Sequence, residues 1–337
     1  MAIMWKELIT KIVPCDLGLF PGWIEVSCEG KLLTRQPFGT NQQGHTLALM
    51  KTNPSLLNIS DPEVDCLRLI KGDLENYSFL KTWDRIVEHL NGGNELLVSI
   101  ISDDTSSLLI PFEQLSSLKL KAQEFSASGR DREYSRIALP VGSSSSVIFR
   151  RSRGQQVSGL HQTVSARRTY VYVGDTPRAQ DENTAIADIC SNTGMEHREI
   201  SDFRSIDTSQ PWILYFIGHG GANGLWHDSS ATGGNLLPQI RSIDLTNCEA
   251  FILSCCSTSS YVLSDETISA IYEAPQKPRH IFSFCYSVAD RIAAVRGTSL
   301  LDKLSSQTLV HLALSQGIIE NAGERDQILS FSWFDCT

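Results

Sequence analysis

Trp212-Ile213-Leu214-Tyr215-Phe216-Ile217 is an unbroken apolar run, and Gly218-His219-Gly220-Gly221 follows it directly. A continuous run of this length, closed by glycines, predicts a strand covered on both faces. Ala250-Phe251-Ile252-Leu253 repeats the pattern and leads into Ser254-Cys255-Cys256-Ser257-Thr258-Ser259. On either side lie Thr169–Val173, with a turn at Gly174-Asp175, and His280–Phe284, ahead of Tyr286–Asp290. Helical spacing marks Asp181–Asn192, Thr267–Ala274, and one or two helices within Ser299–Leu314. Strands alternating with helices predict an α/β fold: a mostly parallel sheet flanked by helices. Functional groups in such sheets collect beyond the carboxyl ends of the strands. Three loops qualify: Gly218–Gly221, Ser254–Ser259 and Tyr286–Asp290.

The N-terminal region reads as richer in strands. Trp23–Ser27 and Lys31–Thr34 alternate across a Glu29-Gly30 hairpin signal. Phe79–Leu90 has helical spacing and stops at Asn91-Gly92-Gly93, after which Leu96–Ile101 reads as a buried strand and Leu108–Glu113 as another. The division expected is an N-terminal region over 1–128, regulatory or a pseudo-protease half, and a second domain over 129–337. Between Lys119 and Arg168 there are ten basic residues against three acidic ones. Ser143–Ser146 and Ser152–Gly159 read as exposed loops there, either a solvated connection or a basic docking face for an acidic partner.

Composition removes several classes of function. The 337 residues carry a net charge of −9, the reverse of a duplex-binding protein, so direct nucleic-acid binding is not expected. No apolar run reaches the roughly 20 residues that cross a bilayer. Lys6, Glu7 and Lys11 interrupt the first apolar stretch, unlike a signal peptide. A soluble, cytoplasmic chain is expected. Nine scattered cysteines without a CxxC do not form a secreted disulfide framework, so most should be buried, inert thiols.

His219, set after a buried strand and between glycines, is placed at the sheet edge with backbone N–H groups nearby. The N–H of Gly220 can face an oxyanion there, because glycine adopts the needed dihedrals without a Cβ clash. Cys256 follows the next buried strand, 37 positions on. A cysteine and a histidine on neighbouring strand ends are the minimum apparatus for nucleophilic acyl transfer. Cys255 is the competing nucleophile, since one residue at a strand end turns the side chain to the other face. A zinc site from His219, His227, Cys248, Cys255 and Cys256 has suitable ligand types but matches no short zinc spacing. No GxSxG elbow supports a serine hydrolase. No metal or cofactor is expected.

Phe216-Ile217-Gly218-His219-Gly220-Gly221 and Phe251-Ile252-Leu253-Ser254-Cys255-Cys256-Ser257-Thr258 resemble the CHAT family of caspase-like cysteine peptidases, related to caspases, separases and gingipains. Leu253–Cys256 fits that family's Leu-Ser-Ala-Cys pattern, with Cys255 in the place of the small residue. Phe284–Asp290 is similar to its Leu-Trp-x-Val-x-Asp element, with Tyr286 replacing Trp, and Leu108–Leu115 to an Ile-Pro-Phe-Glu-x-Leu stretch that often opens these domains. The likeness covers about residues 95–337 and is firmest in the last 130.

The resemblance implies a cysteine endopeptidase. Its catalytic pair would be His219 and Cys256, its oxyanion donors the N–H groups of Gly220 and Cys256, and its substrate-binding residues Ser254, Tyr286 and Asp290. It further implies a protein substrate, a role in antiviral or other bacterial defence or in cell death, and a sensor or activator protein as partner. An inactive caspase-like adaptor is the alternative. Asp290 suggests a preference for Arg or Lys before the scissile bond, unless Arg291 or Arg296 neutralises it or it caps a helix. Phe149-Arg150-Arg151-Ser152-Arg153-Gly154, read as exposed, would then be a candidate self-processing site.

Overall fold

The computed structural model describes residues 5–13, 22–38, 86, 95–103, 108, 147–154, 162–221, 224–230, 233–255, 265–284, 290–320 and 332–337. The chain divides into two compact units, Met1–Gln155 with Ala322–Ile328, and Gln156–Asn321 with Leu329–Thr337. The expected boundary at 128/129 lies outside the described residues, as do the Phe79–Leu90 helix (Ile86 apart, which is helical) and most of the Leu108–Glu113 strand. Leu108 itself is helical rather than extended.

The first unit contains β1 (Trp5–Val13), β2 (Gly22–Cys28), β3 (Lys31–Phe38), β4 (Glu95–Ser102) and β5 (Val147–Ser152), in the order β3-β2-β1-β4-β5. β1, β2 and β3 pair antiparallel, and β4 and β5 continue parallel to β1. Along β1, buried Leu8, Thr10 and Ile12 alternate with half-exposed Glu7, Ile9 and Lys11. That period of two places Glu7 and Lys11 together on the more exposed face of the strand. The β2–β3 turn uses Glu29 and Gly30 at φ 50° and 75°. Two positive φ values match the strand twist in a tight hairpin.

β5 overturns the reading of Phe149–Gly154 as an exposed loop. Arg150 and Arg151 are each 0% exposed, within a strand. Arg150 Nη2 lies 2.6 Å from Glu7 Oε1 and donates to Ser99 Oγ at 2.9 Å, while Ser99 Oγ donates to the same carboxylate at 2.6 Å. Arg151 Nε donates to the Leu108 carbonyl at 2.7 Å. A buried guanidinium is tolerable only with such partners, and here they come from strands distant in sequence. Local composition therefore suggested solvent where partners exist. The Arg150–Arg151 pair is not a surface-exposed cleavage site.

The second unit contains β6 (Arg168–Val173), α1 (Ala179–Thr193), β7 (Glu196–Ile200), β8 (Trp212–Ile217), β9 (His219–Gly221), β10 (Gly224–Trp226), α2 (Leu237–Arg241), β11 (Cys248–Ser254), α3 (Asp265–Tyr272), β12 (His280–Ser283), α4 (Asp290–Ser305), α5 (Val310–Glu320) and β13 (Ser332–Asp335). Its strand order is β13-β12-β11-β8-β6-β7. β12, β11, β8, β6 and β7 are parallel, and β13 is antiparallel to β12. The α/β architecture and the β-rich N-terminal region match the sequence reading.

Every residue of β8 is buried, as its apolar run requires. Tyr215 and Phe216 point to opposite faces. Tyr215 meets Glu182 of α1 and lies under Gly297 of α4, two helices that pack together. Phe216 stacks on Tyr172 at 5.2 Å, and Tyr172 stacks on Phe203 at 5.0 Å. α1 ends at Gly194, whose φ of 71° takes the left-handed conformation that closes a helix.

Limited trypsinolysis of the native chain should leave the bonds after Arg150 and Arg151 intact. Arg150→Ala should cost about 3 kcal/mol of stability in a urea titration, because Glu7 and Ser99 lose their shared partner. Ready cleavage at either arginine, or a cost below about 0.5 kcal/mol, the size of an ordinary surface substitution, would contradict the buried network.

Candidate functional site

The strand order fixes where a site can form. From β6 the chain passes through α1 to β7 on one side, and then returns to β8 on the other side of β6. Connections diverge at that point and leave a crevice beyond the carboxyl ends of β6 and β8. Gly174-Asp175 and Gly218-His219 occupy those two ends.

The two ends are tied together by backbone. Gly174 N–H donates to the Ile217 carbonyl at 2.8 Å, and Asp175 N–H donates to the His227 carbonyl at 2.7 Å. A Cβ at position 174 would stand 2.7 Å from the His227 oxygen and 2.8 Å from the Ile217 oxygen, so only glycine fits there. On the other side, β9 and β10 form a short hairpin that pairs His219 with Trp226 and Gly220 with Leu225. Tyr172 Oη lies 3.2 Å from His227 Nδ1, which holds the residue following that hairpin.

This construction aims the half-exposed His219 at Asp175. Its Nε2 is 2.9 Å from the Asp175 carbonyl oxygen. A carbonyl can only accept, so Nε2 carries the hydrogen. In the neutral ring Nδ1 is then a bare lone pair, ready to take a proton from an acidic neighbour.

β11 runs parallel beside β8, with Ser254 in register with Ile217. The two strand ends expected to be neighbours are neighbours. Ser254 and Cys255 are buried, at 4% and 3% exposure. Cys256 and Tyr286 lie outside the described residues. Gly220 is half-buried in β9, and Asp290 is the half-buried first residue of α4. Cys248 pairs with Trp212 at the opposite end of β8, about 20 Å along the strand from His219, too far to share a metal with it. Among the described residues no three His, Cys, Asp or Glu side chains cluster as a metal site. Nor is any described helix long and apolar enough to cross a membrane.

The five described cysteines, Cys28, Cys190, Cys248, Cys255 and Cys336, are all buried. Burial pushes the thiols of Cys28, Cys190, Cys248 and Cys336 upward, so these stay protonated and unreactive.

One group escaped the sequence reading. Glu182, 4% exposed, accepts a 2.6 Å hydrogen bond from Tyr215 Oη in the core. Burial raises its pKa to about 7, with Asp290 adding to the rise and Tyr215 and Ser254 opposing it. An acidic residue in the first turn of a helix is ordinary in sequence, and nothing local distinguishes Glu182 from its exposed neighbour Asp181.

No known family matches the chain by sequence profile, and no curated protein matches it by sequence. Among solved structures, it is similar to the complex of the pro- and mature domains of RgpB from Porphyromonas gingivalis. The match covers 77% of this chain and 68% of that one, at 9% identity and a TM-score of 0.45.

Glu182 sets a pH dependence. Its folded pKa of about 7 exceeds the unfolded 4.5, so the native state holds this proton more tightly. The associated stability is complete below about pH 4.5 and is lost as pH rises through 7, on the order of 3 kcal/mol in all. Urea titrations should show wild type weakening between pH 5 and 7.5, with that slope reduced in Glu182→Gln. Equal slopes in the two proteins would refute the assignment.

Proposed function

We propose that this protein is a cysteine endopeptidase whose nucleophile is Cys256 and whose base and acid is His219. The observation that carries the reading is the Asp175–His219 bond at the strand switch point, which leaves Nδ1 as the ring's acceptor just beyond β8, the neighbour of the strand that leads to Cys256. The burial of Cys255 favours Cys256 over it, because a nucleophile must meet its substrate.

In this reaction the Cys256 thiol gives its proton to His219 Nδ1, and the sulfur attacks the peptide carbonyl carbon. The oxyanion takes hydrogen bonds from the N–H groups of Gly220 and Cys256. As the tetrahedral intermediate collapses, the carbon–nitrogen bond breaks and His219 returns the proton to the leaving amine. Water, deprotonated by His219, then hydrolyses the thioester. Throughout, the Asp175 carbonyl stabilises the imidazolium through Nε2–H.

Asp290, at the N-terminus of α4 after β12, is the substrate-facing carboxylate in this reading. Because β12 lies beside β11, a chain passing the Cys256 loop reaches the start of α4 next. A carboxylate there selects Arg or Lys, since charge-assisted pairs are about twice as strong as neutral hydrogen bonds. Ser254, by contrast, faces the buried Glu182–Tyr215 pair, which favours a supporting part over direct substrate contact. A protein partner that switches the enzyme on, and a defence or cell-death role, extend the proposal on the motif resemblance alone.

A peptide library should be cleaved by the wild-type chain with its activator present. Cys256→Ala should abolish turnover, and Gly174→Ala should lower it by displacing Asp175. Asp290→Ala should erase a preference for Arg or Lys. Retained turnover in Cys256→Ala with loss in Cys255→Ala would move the nucleophile by one residue. A preference for Met, Leu or Asp that survives Asp290→Ala would remove the specificity assignment.

A further inference from the structure

The chain leaving the β9–β10 hairpin lies across the ends of two strands, and glycines make room for it. A Cβ at Gly218 would stand 2.8 Å from the Trp226 carbonyl oxygen, just as one at Gly174 would stand 2.7 Å from that of His227. Two successive carbonyls thus press on the residues that follow β8 and β6. The second of them accepts the Asp175 N–H. Farther along, Asn235 Oδ1 accepts the N–H groups of Leu225 and Leu237 at 3.2 and 3.0 Å, which ties β10 to the start of α2. The stretch between has its own anchor, at His227.

His227 is exposed, and an exposed side chain is ordinarily free to rotate. Here its ring meets a fixed point. Tyr172, 6% exposed, stacks on Phe203 at an interplanar angle of 15° and on Phe216 at 3°. Two stacking partners hold the plane of its ring, so the core sets the place of Oη. That oxygen lies 3.2 Å from His227 Nδ1, and the two rings meet edge-on at 6.0 Å and 86°. Either tautomer of His227 keeps the bond, since a phenol both donates and accepts.

We propose that Tyr172 and His227 are positioning residues for His219. The core-fixed phenol holds the His227 ring, the His227 carbonyl holds the Asp175 N–H, and the Asp175 carbonyl holds Nε2–H of His219. This deepens the peptidase reading above and rests on it for the chemistry that the oriented ring performs. Asp175 is exposed, so the direction of its carbonyl depends on how firmly its own N–H is held. Losing the phenol hydroxyl frees the His227 ring, loosens the His227 carbonyl, and lets the Asp175 carbonyl swing away from His219.

The test is amide hydrogen exchange at single-residue resolution in the full chain. Gly174 is the internal reference, because its N–H donates to Ile217 and not to the returning chain. Tyr172→Phe keeps the stacked ring and removes only the hydroxyl. Asp175 N–H should then exchange about five- to tenfold faster, the scale of one neutral hydrogen bond, while Gly174 keeps its wild-type rate. His227→Ala should reproduce that result, and His227→Asn, whose amide reaches the place of Nδ1, should restore protection. On a peptide that the wild type cleaves, Tyr172→Phe should lower kcat roughly tenfold with KM unchanged, since a displaced base costs chemistry rather than binding. Wild-type exchange at Asp175 in Tyr172→Phe or His227→Ala would overturn the positioning role. So would equal acceleration at Gly174 and Asp175, which marks general loosening of the strand ends, or an unchanged kcat in Tyr172→Phe when Asp175 exchanges faster. A wild type that cleaves no peptide, with the exchange differences intact, would instead overturn the peptidase reading and leave the backbone clamp standing.

Discussion

The hydrogen bond from His219 Nε2 to the Asp175 carbonyl is the interaction on which the rest depends. It requires β6 and β8 to end side by side, Gly174 to carry no side chain, and the β9–β10 hairpin to return His227 over Asp175. Each requirement is met by a separate contact, so the ring is oriented by the backbone of two strand ends and a hairpin. A backbone carbonyl suits this task. It cannot be protonated in the working range, and it fixes the tautomer without adding a full charge to the site.

Around that bond the second unit is organised as a polar front on an apolar body. β8 is buried throughout, with aromatic stacking on one side through Phe216 and Tyr172, and the Tyr215–Glu182 pair on the other. The thiols inside the sheet are held protonated by burial. The first unit uses the same rule: Arg150 enters the interior only because Glu7 and Ser99 meet it there.

What the sequence could and could not reveal follows from how local the signals were. β8, β11 and β12 were legible because two-sided burial writes continuous apolar runs, and α1 because its apolar residues recur on one side. β7 was not, since Glu196–Ile200 is a charged strand with one buried residue, and β13 is only four residues long. β5 was misread because two arginines signal solvent unless their partners, far away in the chain, are known. In the site, His219 was visible through its glycine neighbours. Asp175 was visible only as a turn, since what it offers His219 is a carbonyl that every residue possesses. Glu182 was invisible, because its burial is decided by helix packing through Gly297.

The proposed dyad is tested most directly by treating the native chain with a peptidyl acyloxymethyl ketone and locating the adduct by tandem mass spectrometry. A single thioether on Cys256, formed rapidly in wild type and at a small fraction of that rate in His219→Ala, is the outcome expected from a thiol activated by an oriented imidazole. An adduct on another residue, no adduct at all, or labelling of Cys256 that proceeds equally well without His219 would contradict it.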